Sequence, residues 1–192
     1  MELSILIPAH NEEECIERTV LEITKEMAAS GINYEILVVN DNSHDRTEEI
    51  LQKLAFHSSR VRYINNFKPH GFGLALRKGL EYFHGDAVVI VMADGSDEPK
   101  DILKYHQKLK EGYECVFGSR FIKDSRVNDY PVHKLVLNRL ANYFIKVLFQ
   151  LDFNDTTNAF KCYRREVIEG LKPFLSHHFN LTVELPLKAI IR

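Results

Sequence analysis

The chain has 192 residues, 45% of them hydrophobic and 27% charged, with a formal net charge of −2. That is the profile of a globular protein with one core and one domain. A balance this close to neutral supplies no concentrated basic face for nucleic acid, and the longest unbroken apolar run, Ala87 to Ala93, is far short of the roughly 20 residues that cross a bilayer.

The elements follow in chain order. "LSILIP" (Leu3–Pro8) is a short apolar run ended by proline and reads as a buried strand. Asn11 is placed to cap a helix, with Glu12, Glu13 and Glu14 near its positive end. Ile16, Val20, Leu21, Ile23 and Met27 recur at helical spacing, and Gly31 suits the stop. "YEILVVN" (Tyr34–Asn40) is a second strand, "DNSHD" a turn with Asp45 as helix cap, and Ile50, Leu51, Leu54 and Ala55 mark a second helix. "VRYI" is a third strand, "NNFKPHGFG" a loop, and Leu74, Ala75, Leu80 and Phe83 carry a third helix. "DAVVIVM" is the fourth and most apolar strand. Pro99 opens a fourth helix with Ile102, Leu103, Tyr105 and Leu109 on one face. "YECVFGS" is the fifth strand, a long helix spans Val132 to Leu148, "DTTNAF" is a loop, and Arg165–Leu171 and a last helix after Asn180 close the chain.

Strands alternating with helices predict a mostly parallel sheet covered on both faces. Right-handed crossovers bring the carboxyl ends of such strands to one edge, where α/β sheets bind ligands. The polar clusters fall there: "PAHNEE", "NDNSHDRT", "NNFKPHG", "ADGSDEP" and "GSRF" each follow a strand. Asp94 and Asp97 can hold a hard divalent cation, Mg²⁺ or Mn²⁺, which keeps room for a diphosphate. Asp41 can accept hydrogen bonds from a base or ribose, and Arg120 can meet a phosphate through its planar fork. The bland alternatives are turn and cap chemistry for the aspartates and a surface ion pair for Arg120. His70, His133, His177 and His178 read as solvated.

The dinucleotide fingerprint G-x-G-x-x-G, the phosphate loop G-x-x-x-x-G-K-[ST] and the hydrolase elbow G-x-S-x-G are all missing from the sequence. Cys15, Cys115 and Cys162 are odd in number and widely spaced, so neither a disulfide framework nor a zinc-finger spacing is present, and a reducing compartment is expected. "MELSIL" lacks the basic region of a secretory signal, and "ELPLKAIIR" stops without a helix stop signal, which suggests a fragment. The expected localisation is cytoplasmic, or peripheral at the cytoplasmic face of a membrane.

Taken together, "SILIPAHNEE", "YEILVVNDNSHDRT", "HGFGLALRKGL", "GDAVVIVMADGSDEP" and "FGSRF" resemble family 2 glycosyltransferases, in the branch of the dolichyl- and polyprenyl-phosphate sugar synthases. The resemblance implies a GT-A fold and an inverting transfer from a nucleotide sugar, with a UDP- or GDP-sugar as donor. Residues 1–120 become the nucleotide-sugar part and 121–192 an incomplete acceptor-side part of one domain. Pro8, His10 and Glu12 then line the nucleotide site, Asp41 contacts the base, and Gly71 lets the backbone come near it. The family's D-x-D motif falls on Met92, Ala93 and Asp94, so Asp94 holds the metal and the diphosphate, aided by Ser96 and Asp97. Met92 departs from the motif, because a thioether is no ligand for Mg²⁺.

Arg120, Lys134 and Asn138 fall where an acceptor phosphate is bound. A lipid-phosphate acceptor needs no general base. A glycan hydroxyl does, and Asp155 is the candidate. The helix over Val132–Leu148 mixes apolar residues with Lys134, Arg139 and Lys146. It reads either as a core helix or as one lying on a membrane surface. A third reading is a nucleotide-sugar-binding protein without turnover, crippled at Met92.

Overall fold

Strand β1 (Leu3–Ala9) and strand β2 (Tyr34–Asn40) are buried along their whole length, which is why both read as continuous apolar runs. The computed structural model that gives this fold describes residues 1–122 and 132–191. The chain continues through α1 (Ile16–Ser30), α2 (Thr47–His57), β3 (Val61–Asn65), α3 (Phe72–Tyr82), β4 (Ala87–Ile90), α4 (Pro99–Lys110) and β5 (Cys115–Phe117). It then forms α5 (Val132–Leu148), β6 (Lys161–Arg164), α6 (Arg165–Gly170) and α7 (Leu181–Ile191).

Among the described residues the strands make one six-stranded sheet in the order β3-β2-β1-β4-β6-β5. The first four in that order are parallel, and β6 is antiparallel to both β4 and β5. Alternation along β1 sends Leu3, Ile5 and Ile7 into one core, with α1, α2 and α4, and Leu6 into the other, with α3, α6 and α7. Each fully buried leucine or isoleucine of this kind stabilises the fold by about 1.5–3 kcal/mol. Helix α3 packs so close to β1 that a Cβ on Gly79 would run into the Leu6 side chain.

One sequence expectation is corrected and one strand is added. Strand β6 fills residues 161–164, between the "DTTNAF" loop and the helix from Arg165, where the sequence assigns no element. Its pattern is broken by Lys161, and only pairing with β4 and β5 makes it a strand. Asn11 does not cap α1, which begins five residues later after Cys15. Instead Asn11 takes a positive φ of 55° and its Oδ1 accepts a hydrogen bond from the His44 amide at 2.8 Å. Two antiparallel pairings in succession leave β5 running in the same direction as β4. The tips of β1, β2, β3, β4 and β5 therefore share one edge. The chain order reverses between β1 and β4, and the crevice outside that point is where open α/β sheets bind ligands.

Helix α5 differs from the others. From Val136 onward it leaves Leu137, Leu140, Tyr143, Phe144 and Val147 exposed, and buries Asn142. Among the described residues no helix is long and apolar enough to cross a membrane.

Candidate active site at the strand tips

The loops after β1 and β2 are stapled together. The amides of Asn11, Glu12 and Glu13 donate to Ser43 Oγ (3.0 Å), Thr47 Oγ1 (2.8 Å) and Asp45 Oδ2 (3.1 Å). Asp45 Oδ1 also accepts from the Thr47 amide at 3.0 Å, from one residue before the N-cap position, which Arg46 occupies instead of the expected Asp45. This lacing fixes His10 and Glu12 against the second strand tip.

Asp41 sits at the centre of the first half of the site. It is buried, with its Oδ1 accepting from Asn66 Nδ2 at 2.6 Å and its Oδ2 from the Gly71 amide at 2.8 Å. Gly71 has a φ of 143°, a conformation that side chains disfavour, so glycine is what allows this amide to face Asp41. His10 Nδ1 lies 2.6 Å from the Asp41 carbonyl, and its ring stacks on His70 with centroids 5.6 Å apart. Pro8, one residue before the end of β1, lies beside Val39 of β2. A hydrogen-bonding carboxylate beneath aromatic rings can take up a nucleobase.

The second half is acidic. Asp94 and Ser96 are exposed after β4, and Asp94 Oδ1 accepts from the Ser96 amide at 2.9 Å. Ala93 is buried, and its carbonyl accepts from Thr19 Oγ1 at 2.9 Å, anchoring the turn to α1. Asp97 is half-buried and folds back so that its Oδ2 accepts from the Met92 amide at 2.8 Å. Burial pushes the Asp97 carboxyl up to about 7; the charge of Asp94 adds to this, while the Met92 hydrogen bond and Arg120 oppose it. Burial, then the charges of Asp94 and Asp45, also raise the Glu12 carboxyl above its ordinary value. The charge of Asp94 thus reaches both Glu12 and Asp97 across the switch point, and oxygens are the ligands that hard divalent cations prefer, although among the described residues these three carboxylates do not converge within 4.8 Å of one another.

On the far side, Arg120 closes its fork on Asp155, through Nε to Oδ2 at 2.9 Å and a terminal nitrogen to Oδ1 at 2.7 Å. The Asp155 side chain is 0% exposed. Both expectations for this pair are corrected. Asp155 is sequestered as the partner of Arg120 and is not placed as a base, and the Arg120 fork assigned to a phosphate is engaged by Asp155.

Thr157 Oγ1 joins the pair by accepting from Arg120 (3.0 Å) and from Asn142 Nδ2 of α5 (2.9 Å). Beneath lies Lys161, 1% exposed, with its ammonium nitrogen on the carbonyls of Thr156 (2.9 Å), Asn158 and Thr182 (3.2 Å). Burial pushes its pKa down to about 7, against the pull of Asp155.

Asn138 is half-buried on α5, and its carbonyl accepts from Asn142 at 2.9 Å. The Lys134 side chain lies outside the described residues. Sequence reasoning missed Asn66, Asn142, Thr157 and Lys161. The available signals were a lysine and an asparagine interrupting apolar runs.

A model of glycosyl transferase family 2 matches residues 4–171. The dolichol-phosphate mannosyltransferase of Pyrococcus furiosus is 32% identical over 174 residues, which is 90% of this chain and 49% of that protein. Glycosyltransferase AglD of Haloferax volcanii is 31% identical over 176 residues, 90% of this chain and 28% of that protein. The chain therefore spans half or less of the length of these two relatives. Among solved structures, glucosyl-3-phosphoglycerate synthase of Mycobacterium tuberculosis, in complex with Mn²⁺, UDP-glucose and phosphoglyceric acid, superposes with a TM-score of 0.76 at 20% identity. It covers 100% of this chain and 66% of that one. That likeness supports the GT-A fold.

Proposed function

The chain belongs to glycosyl transferase family 2, and from that premise we propose that it carries the transfer centre of an inverting glycosyltransferase. The donor is a UDP- or GDP-sugar and the acceptor a polyprenyl phosphate. The observation that carries the reading is the meeting, at one switch point, of a base pocket built on Asp41 and an acidic group built on Glu12, Asp94 and Asp97.

Pro8, His10, Glu12, Asp41, Gly71 and Ala93 bind the nucleotide. Asp94, Ser96 and Asp97 hold the cation, and their oxygen-only chemistry fits Mg²⁺ or Mn²⁺. The raised carboxyls of Glu12 and Asp97 mark a place where positive charge is wanted. When bound, the ion supplies charge that offsets the departing nucleoside diphosphate. Asp97 stands in for the missing acid at Met92.

The acceptor side is residues 121–192, with Lys134 and Asn138 directed to the acceptor phosphate, while Arg120 is held by Asp155. A phosphate acceptor is already an anion and requires no general base. That agrees with the sequestration of Asp155, whereas transfer to a glycan hydroxyl needs a base that Asp155 does not provide. The exposed apolar face of α5, with Lys146 and Arg139 on the same helix, suits attachment to a membrane surface that presents a lipid phosphate. The name of the Pyrococcus relative supports the same acceptor class. On this reading the protein works at the cytoplasmic face of a membrane.

The test is a thermal-shift series with nucleoside diphosphates and nucleotide sugars, with and without Mn²⁺ or Mg²⁺. A ligand at 100 times its Kd adds about 2.7 kcal/mol, or roughly 5–10 °C for a chain of this size. A metal-dependent shift for one nucleotide, lost in Asp94→Ala, is the expected result. No shift with any nucleotide from a folded chain overturns the donor site. Nucleotide binding with no turnover on either acceptor class leaves a binding protein in place of an enzyme.

A further inference from the structure

We propose that His10, Asp41 and His70 form a second cation site, separate from the acidic turn, that takes a borderline d-block ion such as Zn²⁺ and closes the base pocket when filled. One ligand atom from each of the three residues lies within 4.8 Å of the others. Two imidazoles and a carboxylate suit Zn²⁺ rather than Mg²⁺, which prefers oxygen.

The surroundings prepare each ligand. The group facing His10 Nδ1 is the Asp41 carbonyl, at 2.6 Å. A carbonyl can only accept, so Nδ1 carries the hydrogen and Nε2 carries the lone pair. A ring N–H donated to a backbone carbonyl is the usual support of a metal-bound histidine. The Asn11 side-chain amide, 3.1 Å from Nε2, is a donor to that lone pair and yields its place to the ion.

Asp41 is held by Asn66 and the Gly71 amide, one on each oxygen, and each oxygen keeps a second lone pair. His70 is exposed and stacks on His10 at an interplanar angle of 17°, so it can swing without disturbing the core. With bonds of about 2.0–2.2 Å, a tetrahedral ion needs donors roughly 3.4 Å apart, and rotation of the two exposed rings closes that distance. Three protein ligands leave a fourth position for water. The cation site itself needs only this geometry. Its competition with the nucleobase rests on the donor-site reading above.

The experiment is a calorimetric Zn²⁺ titration of the full 192-residue chain, followed by the same titration of His10→Ala, His70→Ala and Asp94→Ala, each checked for folding. Binding of one ion that weakens at least about 10-fold in both histidine variants and persists in Asp94→Ala is expected. Unchanged binding in the histidine variants, loss in Asp94→Ala, or no binding by the folded wild-type chain overturns the site. Uridine and guanosine, which lack chelating phosphates, are then added at high concentration. A fall in apparent Zn²⁺ affinity with either one supports closure of the base pocket. An unchanged affinity in the presence of a nucleoside shown to bind overturns the closure. If neither nucleoside nor any nucleotide binds while the histidine variants behave as expected, the donor-site reading fails and the cation site stands.

Discussion

Asp97 Oδ2 accepts the backbone N–H of Met92 at 2.8 Å, so the second acid of the turn folds back over the residue that stands where the family's first acid is expected. The carboxylate missing from one position is present nearby, delivered from five residues downstream, in a half-buried place where its charge is disfavoured.

That burial has a pH signature. The Asp97 carboxyl is pushed from 3.8 to about 7, so between about pH 4 and 7 the folded chain holds a proton that the unfolded chain has released. Stability contributed by this group is complete below pH 4 and is lost as pH rises through 7. Relative to Asp97→Asn, the wild type therefore loses up to about 4 kcal/mol across that window, at 1.36 kcal/mol per pH unit. Urea unfolding of both proteins at pH 4.5 and 8 measures it, and parallel pH profiles would refute the assignment.

Met92 is half-buried and packs against the core that holds Ile90 and Tyr163. Met92→Asp removes apolar burial and adds a third acid beside Asp94 and Asp97, so the apo protein loses about 2–3 kcal/mol. The same acid adds an oxygen ligand. The Mn²⁺-dependent gain in Tm with a bound nucleoside diphosphate should then exceed that of the wild type. An equal or smaller gain would show that an acid at position 92 adds no ligand to the site that Asp97 supplies.

Arg120 and Asp155 brace the turn after β5 against the loop before β6. Asp155→Ala leaves the guanidinium without its fork partner in a protected place, and about 2–4 kcal/mol of stability should go. A double-mutant cycle with Arg120→Ala isolates the pair. A coupling energy near zero would show that the two residues act independently.

Lys161 behaves in the opposite sense to Asp97. Its pKa falls from 10.5 to about 7, so from about pH 7 to 10 the unfolded chain binds the extra proton and stability rises with pH. Lys161→Met should flatten that rise. It should also destabilise the fold by about 2–3 kcal/mol at pH 8, because the carbonyls of Thr156, Asn158 and Thr182 lose a donor. A variant as stable as the wild type would show that those carbonyls find other partners.

The sequence by itself determined the alternation of strands and helices. Leu3–Pro8, Tyr34–Asn40 and the run ending at Met92 are local apolar patterns, and local patterns survive in one dimension. It also determined which polar clusters follow which strands, and so that Asp41, Asp94, Asp97 and Arg120 gather at one edge. Only the tertiary structure decided what those groups do to one another. The 2.6 Å bond from Asn66 to Asp41, the closure of Arg120 on Asp155 and the stacking of His70 on His10 join residues 25, 35 and 60 positions apart. No periodicity records such distances. Strand β6 was hidden for the same reason: Lys161 breaks its pattern, and pairing with β4 and β5 together with three buried carbonyls makes a lysine acceptable there. Burial then set the charges, because desolvation depends on how the chain packs around a carboxyl or an ammonium and not on its neighbours in sequence.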